Sequence, residues 1–446
     1  MVVHDDQERR TGCGDSLGRK VVAVDDQDAC CGRDLVVGKG CPVDAVALER
    51  FQCPPREAVW LHPVAAERDG ERRRPADVTE PCGSGTVGDD HNRGRHRRPS
   101  LPDLTRGEHA ATPDNVDAMV FDGKTVLITG GTGSFGTKLI EVLLERHDPR
   151  AIRVFSRDEL KQSELRRRLG EDDRLRYLLG DVRDLPRLTR AMRGVDIVVH
   201  AAALKQVPAC EYNPFEAVQT NVVGAENVVG AAIENDVPLT IALSSDKAVN
   251  PVNLYGATKL CAEKIMTQGN AYAGDSVARF ANVRYGNVVG SRGSVIPLFK
   301  TQAATGVLTI TDERMTRFWI TLEQAVEFVI GSLDRMGGGE IFVPKIPSMR
   351  VLDIAAAIAP EAEHRVIGIR PGEKVHEVLL TEDEARHALG VDTGFVILPE
   401  HASWPLRPIE GGVPLASSLQ YSSDQNDRWL DVAELREMAA SVKALS

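Results

Sequence analysis

The chain has 446 residues and a formal net charge of −11, with 54 Lys and Arg residues against 65 Asp and Glu residues. This length suits about two or three domains, and the acidic balance argues against binding to nucleic acid. No apolar run approaches the roughly 18 to 20 residues that span a bilayer, and the start lacks a secretory signal, so we expect a cytoplasmic protein without a membrane span.

The first 118 residues do not have the composition of a folded domain. They contain no Ile and no Tyr, and Arg outnumbers Lys by fifteen to two. Such a segment cannot bury enough apolar surface to offset the entropy of ordering its backbone, so we predict a disordered extension. Six of the eight cysteines lie in it, but no C-x-x-C pair occurs, and no metal site is predicted. Because Met119 directly precedes the first apolar run, a further hypothesis is that translation starts there.

After Met119, short Val, Ile and Leu runs alternate with amphipathic stretches. The predicted strands are 125–129, 152–156, 175–180, 197–202 and 239–244, and the predicted helices are 135–146 and 159–169. Apolar strands separated by helices are typical of a parallel sheet covered on both faces, so residues 119–285 are predicted to form a doubly wound α/β domain of the Rossmann type. Residues 286–446 have a looser pattern with a helix near 322–335, which predicts mainly a smaller substrate-binding subdomain and a C-terminal tail.

A glycine-rich turn follows the first predicted strand and opens the first predicted helix. Gly130 would make the tight turn, Gly133 would let the backbone approach a pyrophosphate, and Gly136 would let helix and strand pack closely. This position between a strand and a helix predicts a dinucleotide site. Further predicted contacts to the cofactor are Ser134, Phe135, Asp158, Asp181, Val182, Ala201 and Ala202.

The end of the second predicted strand distinguishes between cofactors. An NAD site usually places an acidic residue there, which accepts hydrogen bonds from a ribose hydroxyl. This chain has Ser156 and Arg157 at that point and Lys161 one helical turn later. Two cations and a hydroxyl suit a 2′-phosphate, so the sequence favours NADP. The alternative is that Arg157 is merely a surface residue beside Asp158.

Tyr255 and Lys259 are four residues apart and therefore share one face of a helix. A lysine cation nearby, together with the positive nicotinamide ring, is expected to lower the pKa of the tyrosine, so that its phenolate takes a hydroxyl proton. The spacing is common by chance. Here, however, it follows a fifth predicted strand, which favours the catalytic interpretation.

Ser245, Asp246 and Lys247 follow the fifth predicted strand directly. A simple dehydrogenase needs only a hydroxyl donor there, whereas an acid beside an amine offers an additional proton donor and an additional base. Oxidation of a sugar at C4 acidifies the C5 hydrogen. Lys247 can remove that proton if burial depresses its pKa, and Asp246 can donate to the departing C6 hydroxyl if it is protonated. The alternative is an exposed Asp–Lys pair in a loop.

From residue 121 to residue 429 the chain resembles the polysaccharide biosynthesis protein family of extended short-chain dehydrogenases/reductases, and within it the inverting UDP-N-acetylglucosamine 4,6-dehydratases. Beyond the glycine turn, the resemblance is carried by residues 155–159, 203–208, 245–251, 253–259, 284–295, 315–321 and 368–374. It implies that Lys205 and Asn287 contact the sugar nucleotide. It also implies that Arg292, Arg317 and Arg370 are candidates for contacts to the diphosphate or uridine.

The same resemblance bears on stereochemistry and assembly. Retaining relatives carry glutamate at the position of Lys247, so the lysine is similar to the branch that inverts C5. The family usually has Thr at position 245, and Ser245 keeps the hydroxyl. Relatives form homo-oligomers, which is the expectation here. We therefore predict an NADP-dependent UDP-N-acetylglucosamine 4,6-dehydratase, with a UDP-sugar epimerase of the same fold and a catalytically silent NADP-binding protein as alternatives.

Overall fold

The computed structural model of the protein describes residues 119–290, 295–440 and 442. The predicted disordered extension, residues 1–118, lies outside the described residues, as does the predicted substrate residue Arg292. None of the described helices is both long enough and apolar enough to cross a lipid bilayer. Within these same ranges, no group of three or more His, Cys, Asp or Glu side chains is arranged to hold a metal ion.

The first half of the described chain alternates strands and helices. Its strands are β1 (Thr125–Thr129), β2 (Ala151–Ser156), β3 (Leu175–Leu179), β4 (Ile197–His200), β5 (Leu239–Leu243) and β6 (Arg279–Val283). Its helices are α1 (Ser134–Arg146), α2 (Glu159–Leu169), α3 (Leu185–Met192), α4 (Val207–Tyr212), α5 (Pro214–Val218), α6 (Gly224–Glu234) and α7 (Leu254–Tyr272). The predicted strands and helices of this half are confirmed, with ends that shift by at most about two residues.

The second half has shorter elements. Its strands are β7 (Asn287–Val288), β8 (Val307–Ile310), β9 (Thr316–Ile320), β10 (Ile341–Pro344), β11 (Ser348–Arg350), β12 (Glu363–Val366), β13 (Val378–Leu380), β14 (Ala388–Val391), β15 (Gly394–Ile397), β16 (Val413–Pro414) and β17 (Tyr421–Ser422). Its helices are α8 (Val295–Ala303), α9 (Leu322–Arg335), α10 (Val351–Ile358), α11 (Glu382–Ala385) and α12 (Val432–Ala440).

The main sheet has ten strands in the order β16-β14-β15-β10-β6-β5-β4-β1-β2-β3. The strands from β10 to β3 in this order pair in parallel, which confirms the predicted doubly wound sheet. The strand order reverses between β1 and β4, and ligands of such sheets bind at the carboxyl ends beside this point. The sheet also continues past residue 285, the predicted domain boundary, because β10 pairs with β6 and is followed by antiparallel β15 and β14.

Helices cover both faces of the sheet, which explains why the central strands are apolar throughout. On one face, α1 buries Leu139 and Leu143 in the same cluster as Val126 of β1. On the other face, Val228 of α6 and Met266 of α7 belong to the cluster around Leu127. A third cluster lies in the small sheets and helices of the second half and includes Phe299, Trp319, Ile354 and Leu435. This third core is the structural basis of a smaller subdomain.

Candidate active site

The glycine-rich turn brings the end of β1 close to the end of β4. Gly130 has a φ of +68°, and its N–H donates to the carbonyl of Phe155 at 2.9 Å. A Cβ atom at this position would lie 2.8–2.9 Å from the backbone of Ala201 and Ala202. Only glycine therefore permits both the left-handed backbone and the close approach.

A first cavity of about 270 Å³ lies at the carboxyl ends of β1 to β4. It is lined by ten residues predicted to bind the cofactor: Gly130, Gly133, Ser156, Arg157, Asp158, Lys161, Asp181, Val182, Ala201 and Ala202. It is also lined by Thr220, which the sequence analysis missed. The buried Oγ1 of Thr220 has no hydrogen-bond partner in the described part of the chain, so it is available to a ligand.

The cations of this cavity are paired with carboxylates at its rim. Lys161 Nζ lies 2.7 Å from Asp158, whose side chain also caps α2, and Arg157 lies 3.8 Å from Asp181. Both cationic side chains are about half exposed, so these surface ion pairs contribute little to stability. The cations can therefore exchange these partners for a phosphate at small cost.

A second cavity of about 410 Å³ shares Gly130, Gly133, Ala201 and Ala203 with the first, so the two form one cleft. It is lined by ten more of the predicted site residues: Ser134, Phe135, Gly136, Lys205, Ser245, Asp246, Lys247, Tyr255, Lys259 and Asn287. The predicted cofactor, catalytic and sugar-contacting residues thus lie along one continuous surface.

Tyr255 and Lys259 lie in the first turns of α7. The N-cap of this helix is Asn253, whose side chain accepts the N–H of Gly256 at 2.8 Å. A Cβ atom on Gly256 would lie 2.1 Å from the carbonyl oxygen of Lys247. Glycine at this position therefore lets the helix start directly against the turn that carries Asp246 and Lys247.

The charges on this helix differ from the expectation. Burial lowers the pKa of Lys259 to about 8, opposed by Glu263, and the Lys259 Nζ donates to the carbonyl of Leu243 at 2.5 Å. Burial also raises the pKa of Tyr255 to about 12, opposed by Lys247 and by a hydrogen bond with Ser245. The side chains alone therefore do not produce the fall in the tyrosine pKa that was expected from Lys259.

Asp246 is the acidic residue that lines the second cavity, and 1% of its surface is exposed. Its Oδ1 accepts hydrogen bonds from Ser245 Oγ at 2.7 Å and from Lys247 Nζ at 3.0 Å. Its Oδ2 has no hydrogen-bond partner among the described residues. One carboxylate oxygen thus orients the residue, and the other is left for a ligand.

Lys247 has a second carboxylate neighbour. Its Nζ lies 3.4 Å from Oε1 of Glu377, in addition to the contact with Asp246. Burial has the largest effect and lowers the pKa of Lys247, but the two carboxylates together outweigh it and raise the pKa above its ordinary value. The condition placed on Lys247, a pKa depressed by burial, is therefore not met, because the charges of Asp246 and Glu377 outweigh the effect of burial.

Three buried polar atoms of the second cavity lack a hydrogen-bond partner within the described ranges: Ser244 Oγ, Asp246 Oδ2 and Asn287 Oδ1. Each buried polar atom without a hydrogen bond destabilises the fold by about 1–3 kcal/mol. These three atoms therefore mark positions where a polar ligand would supply the missing hydrogen bonds. A sugar nucleotide and the ribose of a dinucleotide both carry hydroxyl groups that can form hydrogen bonds with these three atoms.

Two of the predicted substrate residues do not line the cleft. The Arg317 guanidinium donates to the backbone carbonyls of Thr316, Val375 and Lys374 at 2.7–3.0 Å, so its hydrogen bonds hold the chain itself. Arg370 is about half exposed and lies 3.7 Å from Glu373. Contacts from either residue to a substrate stay predictions.

Sequence reasoning also missed Tyr285, which lines the second cavity and stacks at 6.5 Å on Phe135. Its signals were its place two residues after the end of β6 and its position within residues 284–295, which carry part of the family resemblance. Glu377 gave no signal of this kind, since it precedes a short strand of the second half and reaches Lys247 only through the tertiary fold.

A family model described as "Polysaccharide biosynthesis protein" matches residues 126–399. The chain belongs to this family. The resemblance inferred from the sequence motifs is thereby confirmed. The matched residues contain the whole cleft described above, from Gly130 to Leu322.

Individual proteins are similar to this chain over most of their own length. A protein of Campylobacter jejuni named UDP-N-acetylglucosamine 4,6-dehydratase (inverting) is 49% identical over 328 residues, which are 72% of this chain and 98% of that protein. A Rickettsia conorii protein named UDP-glucose 4-epimerase is 41% identical and covers 72% of this chain and 96% of its own. The X-ray structure of Pen from Bacillus thuringiensis has 40% identity and a TM-score of 0.66, covering 72% of this chain and 98% of that one.

Proposed function

We propose that this protein is a UDP-N-acetylglucosamine 4,6-dehydratase that inverts C5, a hydro-lyase that supplies a 4-keto-6-deoxy UDP-sugar for surface glycan synthesis. The observation that carries the proposal is the acid–amine pair of Asp246 and Lys247 in one cavity with Tyr255 and Lys259. The 49% identity to a relative named for this activity supports it.

NADP is the proposed cofactor. Ser156, Arg157 and Lys161 would hold its 2′-phosphate, and the free N–H groups at the start of α1 would hold its pyrophosphate. The residues present fit such a group, because the buried Thr220 hydroxyl is unpaired in the described structure and the Arg157 and Lys161 side chains are about half exposed. When bound, the cofactor supplies the oxidation at C4 of the sugar and the matching reduction at C6.

Tyr255 is the proposed base at the C4 hydroxyl. Its phenol lies 8% exposed in the cleft and is hydrogen-bonded with Ser245. The charge of the Lys259 ammonium, one helical turn away, favours the phenolate once a substrate hydroxyl donates to it. Ser245 would orient the same substrate hydroxyl.

Asp246 and Lys247 carry the elimination in this proposal. The 4-ketone acidifies the C5 hydrogen, which the amine of Lys247 removes. Asp246 protonates the C6 hydroxyl, which then leaves as water. Its unpartnered Oδ2 is the oxygen free to hold this proton. Proton return to C5 from the opposite face would give the inverted product.

Lys205 and Asn287 are proposed contacts to the sugar nucleotide, since both line the second cavity and the buried Asn287 Oδ1 is unpaired in the described structure. Arg292, Arg317 and Arg370 stay candidates for the diphosphate or uridine. The cytoplasmic location, the absence of nucleic-acid binding and the homo-oligomer predicted from the sequence also stay predictions.

The competing proposal is a UDP-sugar epimerase, which is favoured by the 41% identity to a relative named UDP-glucose 4-epimerase. Such an enzyme needs Tyr255 and Lys259 but no acid at C6. Mass spectrometry of UDP-N-acetylglucosamine after incubation with the protein separates the two. Loss of one water supports dehydration, and an isomer of unchanged mass would establish the epimerase.

A further inference from the structure

Glu377 is a buried carboxylate that the proposed reaction does not yet use. It is 2% exposed and directly precedes β13. Its Oε1 lies 3.4 Å from Lys247 Nζ and 3.9 Å from Arg317 Nε, and its Oε2 lies 3.7 Å from Lys374 Nζ. Carboxylates are seldom buried unless cations or hydrogen bonds compensate them, and here three cations do so.

The position of this carboxylate is fixed by parts of the fold other than Lys247. The Glu377 N–H donates to Ser423 Oγ at 2.9 Å, and the Ser423 N–H donates back to the Glu377 carbonyl at 2.8 Å. Arg317 holds the carbonyls of residues 374 and 375, and Lys374 Nζ donates to the carbonyl of Val249 at 2.5 Å. Glu377 is thus placed before any substrate arrives, as preorganised electrostatic groups are.

We propose that Glu377 is a positioning residue for the dehydration, which holds the Lys247 amine beside Asp246 and stabilises the ammonium ion that forms when this amine takes the C5 proton. The inference rests on the proposed function and assigns a third group to the same step.

The protons of the step move between Lys247, Asp246 and the substrate. In the resting protein, Lys247 and Asp246 form an ion pair at 3.0 Å. Transfer of one proton from Nζ to the carboxylate gives a neutral amine and a neutral acid. The amine takes the C5 proton, while the acid gives its proton to the C6 hydroxyl, which breaks its bond to carbon and leaves as water. The ion pair is thereby restored, and no outside proton is consumed.

During this step Asp246 is neutral at first, so it does not stabilise the positive charge that grows on Lys247. Glu377 is the remaining carboxylate within 4 Å of Nζ among the described residues. An opposite charge at this distance raises the basicity of an amine by about 1–3 pKa units. Because the same charge also stabilises the ammonium of the resting ion pair, the contribution of Glu377 to the rate is to hold the Lys247 amine in place while Asp246 is neutral.

The test is Glu377→Gln, which keeps the size of the side chain and removes its charge. Loss of the contact that holds the Lys247 amine should lower kcat by up to about 100-fold with little change in KM, since about 1 Å of misplacement of a reacting group can cost that much. Deuterium at C5 of UDP-N-acetylglucosamine should then give a larger isotope effect on kcat than in the wild type. Deuterium at C4 should not, because only proton removal from C5 has been slowed.

Glu340→Gln is the matched control. Glu340 is equally buried, accepts the N–H groups of Gly337 and Gly338, and lines neither part of the cleft. It should lose stability but keep the wild-type isotope effects. Glu377→Asp retains the charge at a longer distance, so its kcat and its C5 isotope effect should lie between those of the wild type and those of Glu377→Gln. If Glu377→Gln does not fold, Glu377→Asp serves as the test instead.

The outcomes separate this inference from the proposed function. A wild-type protein that forms no dehydrated product refutes the proposed function itself. An active wild type whose folded Glu377 variants show an unchanged C5 isotope effect, or equal increases at C4 and C5, overturns the role of Glu377 alone.

Discussion

Replacing Arg284 by Met should destabilise the protein severely without touching the cleft directly. Arg284 is 1% exposed and donates to both oxygens of Glu263 at 3.1 and 2.7 Å, to both oxygens of Glu384 at 3.1 and 3.0 Å, and to the carbonyl of Leu379 at 3.0 Å. Methionine fills much of the volume but leaves the 1% exposed Glu263 without its partner. Breaking a buried ion pair in this way costs about 3–5 kcal/mol.

Thermal unfolding followed by circular dichroism measures this loss. With an unfolding entropy of about 2.1 cal/mol/K per residue over the roughly 320 described residues, a loss of about 3–5 kcal/mol lowers Tm by about 4–7 °C. Arg284→Met combined with Glu263→Gln should recover at least half of the loss, because the stranded charge is removed. If Arg284→Met alone lowers the free energy of unfolding by less than about 1 kcal/mol, Arg284 does not stabilise this buried network in the way described.

Three further predictions concern the cleft. Because Lys259 has a pKa of about 8, its ammonium is lost as pH rises through that value, and kcat/KM should decline above about pH 8. The variant Lys259→Arg, if it folds, should move this decline to higher pH, because arginine stays protonated. A pH profile of kcat/KM that is the same in the variant and the wild type would contradict the role of Lys259. Asp246→Asn should lower the rate of water loss from UDP-N-acetylglucosamine by at least about 100-fold, measured by mass spectrometry of the product, and near wild-type product formation would exclude Asp246 as the acid. Arg157→Ala should weaken NADP binding by about 10-fold while leaving NAD nearly unaffected in fluorescence titrations, since only NADP carries the 2′-phosphate; equal losses for both would contradict the assignment.

The sequence predicted the first half of the sheet well, because its signals are local. Apolar runs of strand length, an amphipathic helix after each and a glycine turn at a fixed place leave few alternatives. The second half was less predictable. The pairing of β10 with β15 joins Val343 to Phe395, and such contacts between distant residues leave no periodic trace in either strand.

In the candidate site, too, features with local sequence signals were predicted and features that depend on distant residues were not. The predicted residues on β1, β2, β4 and α7 all line the cleft, because strand ends of a parallel sheet converge at one edge. The sequence analysis considered the burial of Lys247 but not the combined effect of Asp246 and Glu377, which together raise its pKa. Electrostatic balance depends on every nearby charge, including charges that the fold brings from 130 positions away.

The continuation of the main sheet through β10, β15 and β14 has a practical consequence for engineering. A chimaera that joins the cofactor half of one family member to the second half of another would cut between β6 and β10, two hydrogen-bonded neighbours in the middle of the sheet. A truncation after residue 285 would likewise expose the edge of β6, a template for aggregation. Exchange of substrate specificity is therefore better attempted through the loops and helices around β7 to β9 than by transplanting the second half as a module.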